Sequence, residues 1–438
     1  MSKTTPTKDP PIRSPRHYLG QQLFEVDNLF IGCSGRIASA NSSLLSWPLP
    51  SPSARSVHLQ GLDVLRAVAI SLVLLFHYPI LFAHPDGMGR WTSFGWTGVD
   101  LFFVLSGYLI SSQLLAAKAR RGISLESYFI KRSFRILPLF WLTLAAYFLM
   151  PAWRETEALA PLWKFLTFTQ NLYFDPSHQR TFSHAWSLCI EEQFYLVLPF
   201  ILLWVGHRQT LKGTLMVVAT LMVLGFGIRW VSWETLVAPA AARSVTSQGG
   251  SFISEWARWI YYCTQTRLDG LLTGVAVASL FHFREEVKSW CFKRAWYFAV
   301  TAVAGLIGAV EFSTPFHTHA CALYGYPLIS LSYGCLLIAV LSPRFQLPRA
   351  LFFPFKWLAT LSYGIYLTHK MVAHVAQSAL IGAGFDGNGY PLLFACFAAF
   401  VIVGLMLHWL VERPMFAVRD RVLRREKITA ENFHPQIS

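Results

Sequence analysis

The stretch Gly61–Pro79, GLDVLRAVAISLVLLFHYP, limits what this chain can become more than any other. It is apolar and long enough to cross a bilayer, so it reads as a membrane helix. Yet it carries Asp63, Arg66 and His77. A charged side chain near the centre of a membrane helix costs at least ~2.5–3.5 kcal/mol, so ionisable groups kept there face protein or a polar passage and mark function. Arg66 and His77 stand eleven positions apart. That is almost three helical turns, which puts both on one face, about 16 Å apart along the axis. They cannot touch. Such a pair fits two ends of one long ligand, two depths of one passage, or two separate contacts to partner helices.

The rest of the chain repeats the theme. Of 438 residues, 54% are hydrophobic and only 14% charged, which excludes an ordinary soluble domain. The composition implies an all-α polytopic membrane protein, because only helices hide every backbone polar group over spans this apolar. The net charge of +14 does not point to nucleic acid. The basic residues sit in short segments between apolar runs, as membrane topology requires, so the expected surroundings are membrane lipids. Seven cysteines are scattered without a CxxC pair, so neither a disulfide framework nor a metal site is expected.

Residues 1–57 read as a disordered or loosely structured N-terminal extension without a signal peptide. About ten transmembrane helices follow, at 62–82, 97–117, 136–151, 189–206, 213–228, 267–283, 296–312, 323–342, 357–380 and 391–411, with the third and fifth the shortest. Loops on one side and the tail from Arg413 hold 21 Lys and Arg, against 7 in the alternate loops. This contrast predicts that both termini are cytoplasmic. The expected division is an extension at 1–57, a membrane domain at 58–416 and a basic tail at 417–438.

Polar residues interrupt these spans at a few places only. WTGVDLFFVLSGYLI carries Asp100 just inside the second span, a pocket candidate or a helix-start anion favoured by the dipole. KRSFRILP places Arg132 and Arg135 three apart, on one helix face. Two guanidinium forks there suit a phosphate, or simply anchor the cytoplasmic end. HAWSLCIEEQFYLVLP brings His184, Glu191 and Glu192 to the start of the fourth span. Adjacent carboxylates diverge by about 100° around a helix, so at most one of them faces a central pocket. RLDGLLTG offers Arg267 and Asp269, which either pair or face the pocket; LSYGIYLTHK holds His369 and Lys370 near mid-span. Glu412 and Arg413 in VERP read as a surface ion pair.

Taken together, these stretches resemble the acyltransferase-three family of integral membrane acyltransferases, which includes bacterial O-antigen and exopolysaccharide O-acetylases. GLDVLRAVAISLVLLFHY carries the family's Arg, ten residues, His signature. GWTGVDLFFVLSGYLI, KRSFRILPLFW, HAWSLCIEEQFYLVLP, RLDGLLTG, LSYGIYLTHK and VERP follow in family order over about 61–414. The family often has a tryptophan or proline near Lys370 and Met371, where this chain has neither.

The resemblance implies transfer of an acyl group, usually acetyl, from acyl-CoA to a carbohydrate hydroxyl in the bacterial cytoplasmic membrane, with no bound cofactor. Arg66, Arg132 and Arg135 are the expected donor-binding residues, and His77 the general base. Glu191 is expected to orient the imidazole or bind the acceptor. Asp63, Asp100, His184, Glu192, Asp269 and His369 are further pocket candidates. Some members carry a C-terminal esterase-like domain; in this sequence the membrane domain is expected to complete transfer itself. The rival readings are acylation of a small cytoplasmic or lipid-linked acceptor, and a proton-coupled transporter using the same polar residues.

Overall fold

The computed structural model describes residues 54–81, 92–120, 122–176, 178–205, 210–244 and 250–433. The expected extension at 1–57 lies outside the described residues except for 54–57. All regular structure in the described residues is helical, apart from one bridge between Leu159 and Thr181. The main helices are α1 (Ala54–Leu81), α2 (Gly98–Arg120), α3 (Leu125–Leu149), α4 (Trp186–Val205), α5 (Leu211–Ser232) and α6 (Asp269–Phe283). They continue with α7 (Ala295–Phe312), α8 (Tyr326–Val340), α9 (Arg349–Gly382), α10 (Tyr390–Leu407) and α11 (Arg413–Phe433).

Each of the ten apolar runs falls on one of α1–α10. Among the described residues, however, seven helical segments are long and apolar enough to cross a membrane, not ten. The three runs that drop out are those on α3, α6 and α9. The reason is physical: α3 carries Arg132 and Arg135, α9 carries His369 and Lys370, and α6 is only 15 residues long. Of the three, α6 is the most fully buried by its neighbours. α3 also starts earlier than expected, because Ser124 caps it by accepting from Ser127 N at 3.3 Å, and the basic KRSFR stretch simply continues the helix.

Without a hydrophobic driving force between helices in lipid, close contact decides who packs on whom. α2 and α6 form the central pair. A Cβ on Gly107 would stand 2.1 Å from Leu271 O, and one on Gly274 would stand 2.3 Å from Val104 O, so the two backbones touch where side chains would separate them. α1, α5 and α8 pack on this pair, and α9 packs on α1 and α10; α5 and α7 bury only 11% of their apolar window, against 72% for α2. Two apolar clusters result. One joins α1, α2, α6, α8 and α9; the other joins α3 and α4 with the loop that ends at Phe182, and reaches α9 through Leu367 and Met371.

Candidate active site

At one end of the bundle, α1, α9 and the turn before α4 bring three histidines together. His369 lies between the other two, its ring centroid 4.9 Å from His77 and 4.6 Å from His184; His77 and His184 are 6.4 Å apart. A carbonyl can only accept, so each imidazole that meets one must donate to it. His77 Nδ1 donates to Val73 O at 3.0 Å, His184 Nε2 to Leu367 O at 3.0 Å, and His369 Nδ1 to Tyr366 O at 2.8 Å. The tautomers are thereby fixed. His77 Nε2, His184 Nδ1 and His369 Nε2 are left as the basic nitrogens.

The turn that carries His184 is clasped by one face of α9. Lys370 Nζ donates to Ser183 Oγ at 2.8 Å, and the Tyr366 hydroxyl donates to His184 O at 2.7 Å while also bonding Ser187 Oγ at 2.6 Å. Just before the turn, Phe182 holds a left-handed backbone at φ 54°, a conformation that costs a non-glycine residue about 1 kcal/mol or more. Stacking of its fully buried ring on Tyr147 (4.5 Å) and Phe165 (5.5 Å) holds it there.

Where the two apolar clusters meet, a cavity of about 110 Å³ opens. Arg66 of α1, Arg132 and Arg135 of α3, Glu191 and Tyr195 of α4, and Tyr363 and Tyr366 of α9 line it. Arg132 lies over the Tyr195 ring at 4.6 Å, and Arg66 stands 3.6 Å from Asp63. Three guanidinium groups from two helices therefore converge on one space. His77 does not line this cavity. Tyr366, on its wall, connects the two levels, its ring 5.6 Å from His184 and 6.0 Å from His369.

Several expected site residues lie elsewhere. Glu191 does not orient His77; Val73 O does that, and the carboxylate accepts from Ser106 Oγ at 2.9 Å and Tyr195 OH at 3.4 Å inside the arginine cavity. Glu192, one position on, does not line the cavity, as the 100° divergence requires. Asp100 and Asp269 are not pocket residues. Arg267 Nη2 donates to both oxygens of Asp100, at 2.9 and 3.0 Å, and Asp269 takes a two-pronged contact from Arg229 at 2.6 and 3.2 Å. Arg267 thus pairs with Asp100 rather than with its sequence neighbour. Glu412 is buried and accepts from His408 Nδ1 at 2.8 Å, while Arg413 lies over the Trp409 ring at 4.3 Å, so the two are no surface ion pair. The sequence reading missed Arg229, Tyr366 and Ser187. Arg229 could have been found by the argument used for Arg66, as a charge ending an apolar run.

Residues 59–410 match the family model described as an acyltransferase domain, that of acyltransferase three. The chain belongs to this family. It is 28% identical over 384 residues to the peptidoglycan O-acetyltransferase OatA of Listeria monocytogenes, covering 82% of this chain and 56% of that protein. It is 29% identical over 337 residues to the putative peptidoglycan O-acetyltransferase YrhL of Bacillus subtilis, covering 72% and 48%. With the O-acetyltransferase OatA of Staphylococcus aureus it shares 29% identity over 236 residues, 50% of this chain and 34% of that one. The chain thus spans about half the length, or less, of these curated relatives. No solved structure matches it. Family membership and the seven candidate spans make this a multi-pass membrane protein of the acyltransferase-three family.

Proposed function

We propose that this protein transfers an acetyl group from acetyl-CoA to a hydroxyl of a cell-wall glycan such as peptidoglycan, within the unit at 58–416. The observation that carries the reading is the pairing of two sites along α1. Three arginines surround a cavity at the level of Arg66, and three tautomer-fixed histidines gather at the level of His77, about 16 Å further along the helix. The phosphates of CoA dock on Arg66, Arg132 and Arg135, whose forked donors suit phosphate oxygens. The pantetheine arm then runs past Tyr366 toward the histidines. There His77 Nε2 takes the proton of the acceptor hydroxyl as its oxygen attacks the thioester carbonyl. The carbon–sulfur bond breaks, and the same proton passes to the leaving thiolate, so that an ester and the CoA thiol are released. The relatives' names favour acetyl as the group and peptidoglycan as the acceptor.

Replacing His77 tests the mechanism. Loss of a general base costs ~10²–10⁴-fold in rate, so His77→Gln is expected to remain inserted, to bind acetyl-CoA and to transfer almost nothing. Near-normal transfer by that variant would remove the assigned base. The reading also requires the arginine end to face the cytoplasm, in the bacterial inner membrane, where the loop charges put it. A cysteine at Glu311 should then react with a membrane-impermeant thiol reagent in whole cells, and one at Arg349 should not; the reverse pattern would refute a cytoplasmic donor.

A further inference from the structure

Two of the three histidines in the cluster hold a basic nitrogen that nothing satisfies. His184 and His369 are each only 2% exposed, and His184 Nδ1 and His369 Nε2 have no hydrogen-bond partner among the described residues. A buried polar atom without a partner costs roughly 1–3 kcal/mol, so a pair of them side by side calls for an explanation. Neither ring can turn over to relieve the cost. The opposite nitrogen of each is committed to a backbone carbonyl of α9, and Lys370, Tyr366 and Ser187 hold the turn that carries His184. No three His, Cys, Asp or Glu side chains among the described residues could share a metal ion. What two fixed lone pairs demand instead is hydrogen-bond donors.

We propose that His184 and His369 form the acceptor-binding subsite of the transferase, receiving donor groups of the glycan beside the hydroxyl that is acylated. This rests on the acyl-transfer reading above and extends it from the base to the acceptor. His369, next to His77 at 4.9 Å, seats the acceptor so that one hydroxyl faces His77 Nε2; His184 takes a second hydroxyl or amide N–H. The site therefore favours acceptors that are rich in donors over isolated alcohols. A monofunctional alcohol would reach the base and still leave at least one nitrogen unsatisfied.

The test measures transfer from radiolabelled acetyl-CoA to solubilised peptidoglycan strands by protein in native membranes, with acetyl-CoA affinity determined separately. His184→Ala and His369→Ala are expected to raise the acceptor KM by roughly 5- to 100-fold, the factor set by an unmade buried hydrogen bond, with acetyl-CoA affinity and protein yield unchanged. His369→Gln, whose side-chain carbonyl is again an acceptor, should recover much of that loss. An unchanged acceptor KM in both alanine variants overturns the subsite. So does a parallel loss of acetyl-CoA affinity or yield without rescue by glutamine, which would mark a structural role. If the unaltered protein consumes no acetyl-CoA, or passes none to the strands, the underlying reading fails and the subsite with it.

Discussion

Two regions of this protein bury arginines, and they do so to opposite ends. Beneath the α2–α6 crossing, Arg229 and Arg267 are at most 1% exposed, each bonded to an aspartate. Arg267 is also boxed by the rings of Tyr326, Tyr261, Trp186 and Trp96, at 4.2, 4.8, 5.2 and 5.5 Å. Around the cavity between the two apolar clusters, Arg66, Arg132 and Arg135 line open volume; Arg66 also stands 3.6 Å from Asp63, and Glu191 is the one carboxylate among the lining residues. The first region balances its charges and encloses them. The second brings three guanidinium groups to the wall of a cavity. A buried arginine in a membrane protein is thus no site by itself; the groups packed around it, and whether it borders a cavity, distinguish the two regions.

The largest break in this contrast comes from the balanced region. Asp269→Ala leaves Arg229 as an uncompensated buried charge, which should cost about 3–5 kcal/mol and deplete folded protein. Replacing Arg229 and Asp269 together with Met and Leu should restore most of that loss, because an apolar pair of similar volume is often as stable as a buried ion pair. Thermal unfolding in detergent, read for the single and double variants, checks both. If Asp269→Ala unfolds no earlier than the unaltered protein, the pair is not structural.

A smaller effect is expected from the aromatic box. Tyr326→Leu removes the ring closest to Arg267 and should cost ~1–2 kcal/mol, by loss of a desolvated cation–π contact. Tyr326→Phe keeps the ring and should be close to neutral. The same thermal measurement separates them, and equal losses in the two variants would mean that the hydroxyl matters and the ring face does not.

The smallest effect belongs to the cavity. Ser106→Ala deletes one donor to Glu191 and should cost about 1 kcal/mol at most in stability, since the carboxylate keeps Tyr195 and the cavity beside it. A loss as large as that of Asp269→Ala would show that the cavity is as tightly balanced as the ion-pair region.

The positions of the helices were legible because long apolar runs have few alternatives in a membrane. The individual polar residues were legible for the same reason: Arg66, His77, His184, Glu191 and His369 each stand where a plain span would be apolar. Which of them meet was not. His77, His184 and His369 converge through contacts between segments more than a hundred residues apart, and nothing in local spacing encodes that. The partner exchange at RLDGLLTG shows the limit most clearly. Arg267 lies in the turn before α6 and Asp269 opens the helix, so sequence spacing alone does not say whether the two meet. Their partners come from different helices: Asp100 from α2 and Arg229 from α5. Of the ten expected spans, seven lie on helices long and apolar enough to cross a membrane among the described residues; the runs on α3, α6 and α9 are shorter or interrupted by polar residues.

On the proposed function, Arg66, Arg132 and Arg135 serve a ligand, whereas Arg229 and Arg267 serve the fold. Measuring acetyl-CoA affinity and thermal stability side by side for Arg66→Gln, Arg132→Gln, Arg135→Gln and Arg229→Gln tests this claim most directly. Each cavity variant should weaken acetyl-CoA binding by the ~1.5–3 kcal/mol of a charge-assisted hydrogen bond while unfolding near the normal temperature; Arg229→Gln should unfold far earlier. Unchanged affinity in all three cavity variants, or a loss of stability in them matching that of Arg229→Gln, would contradict the claim.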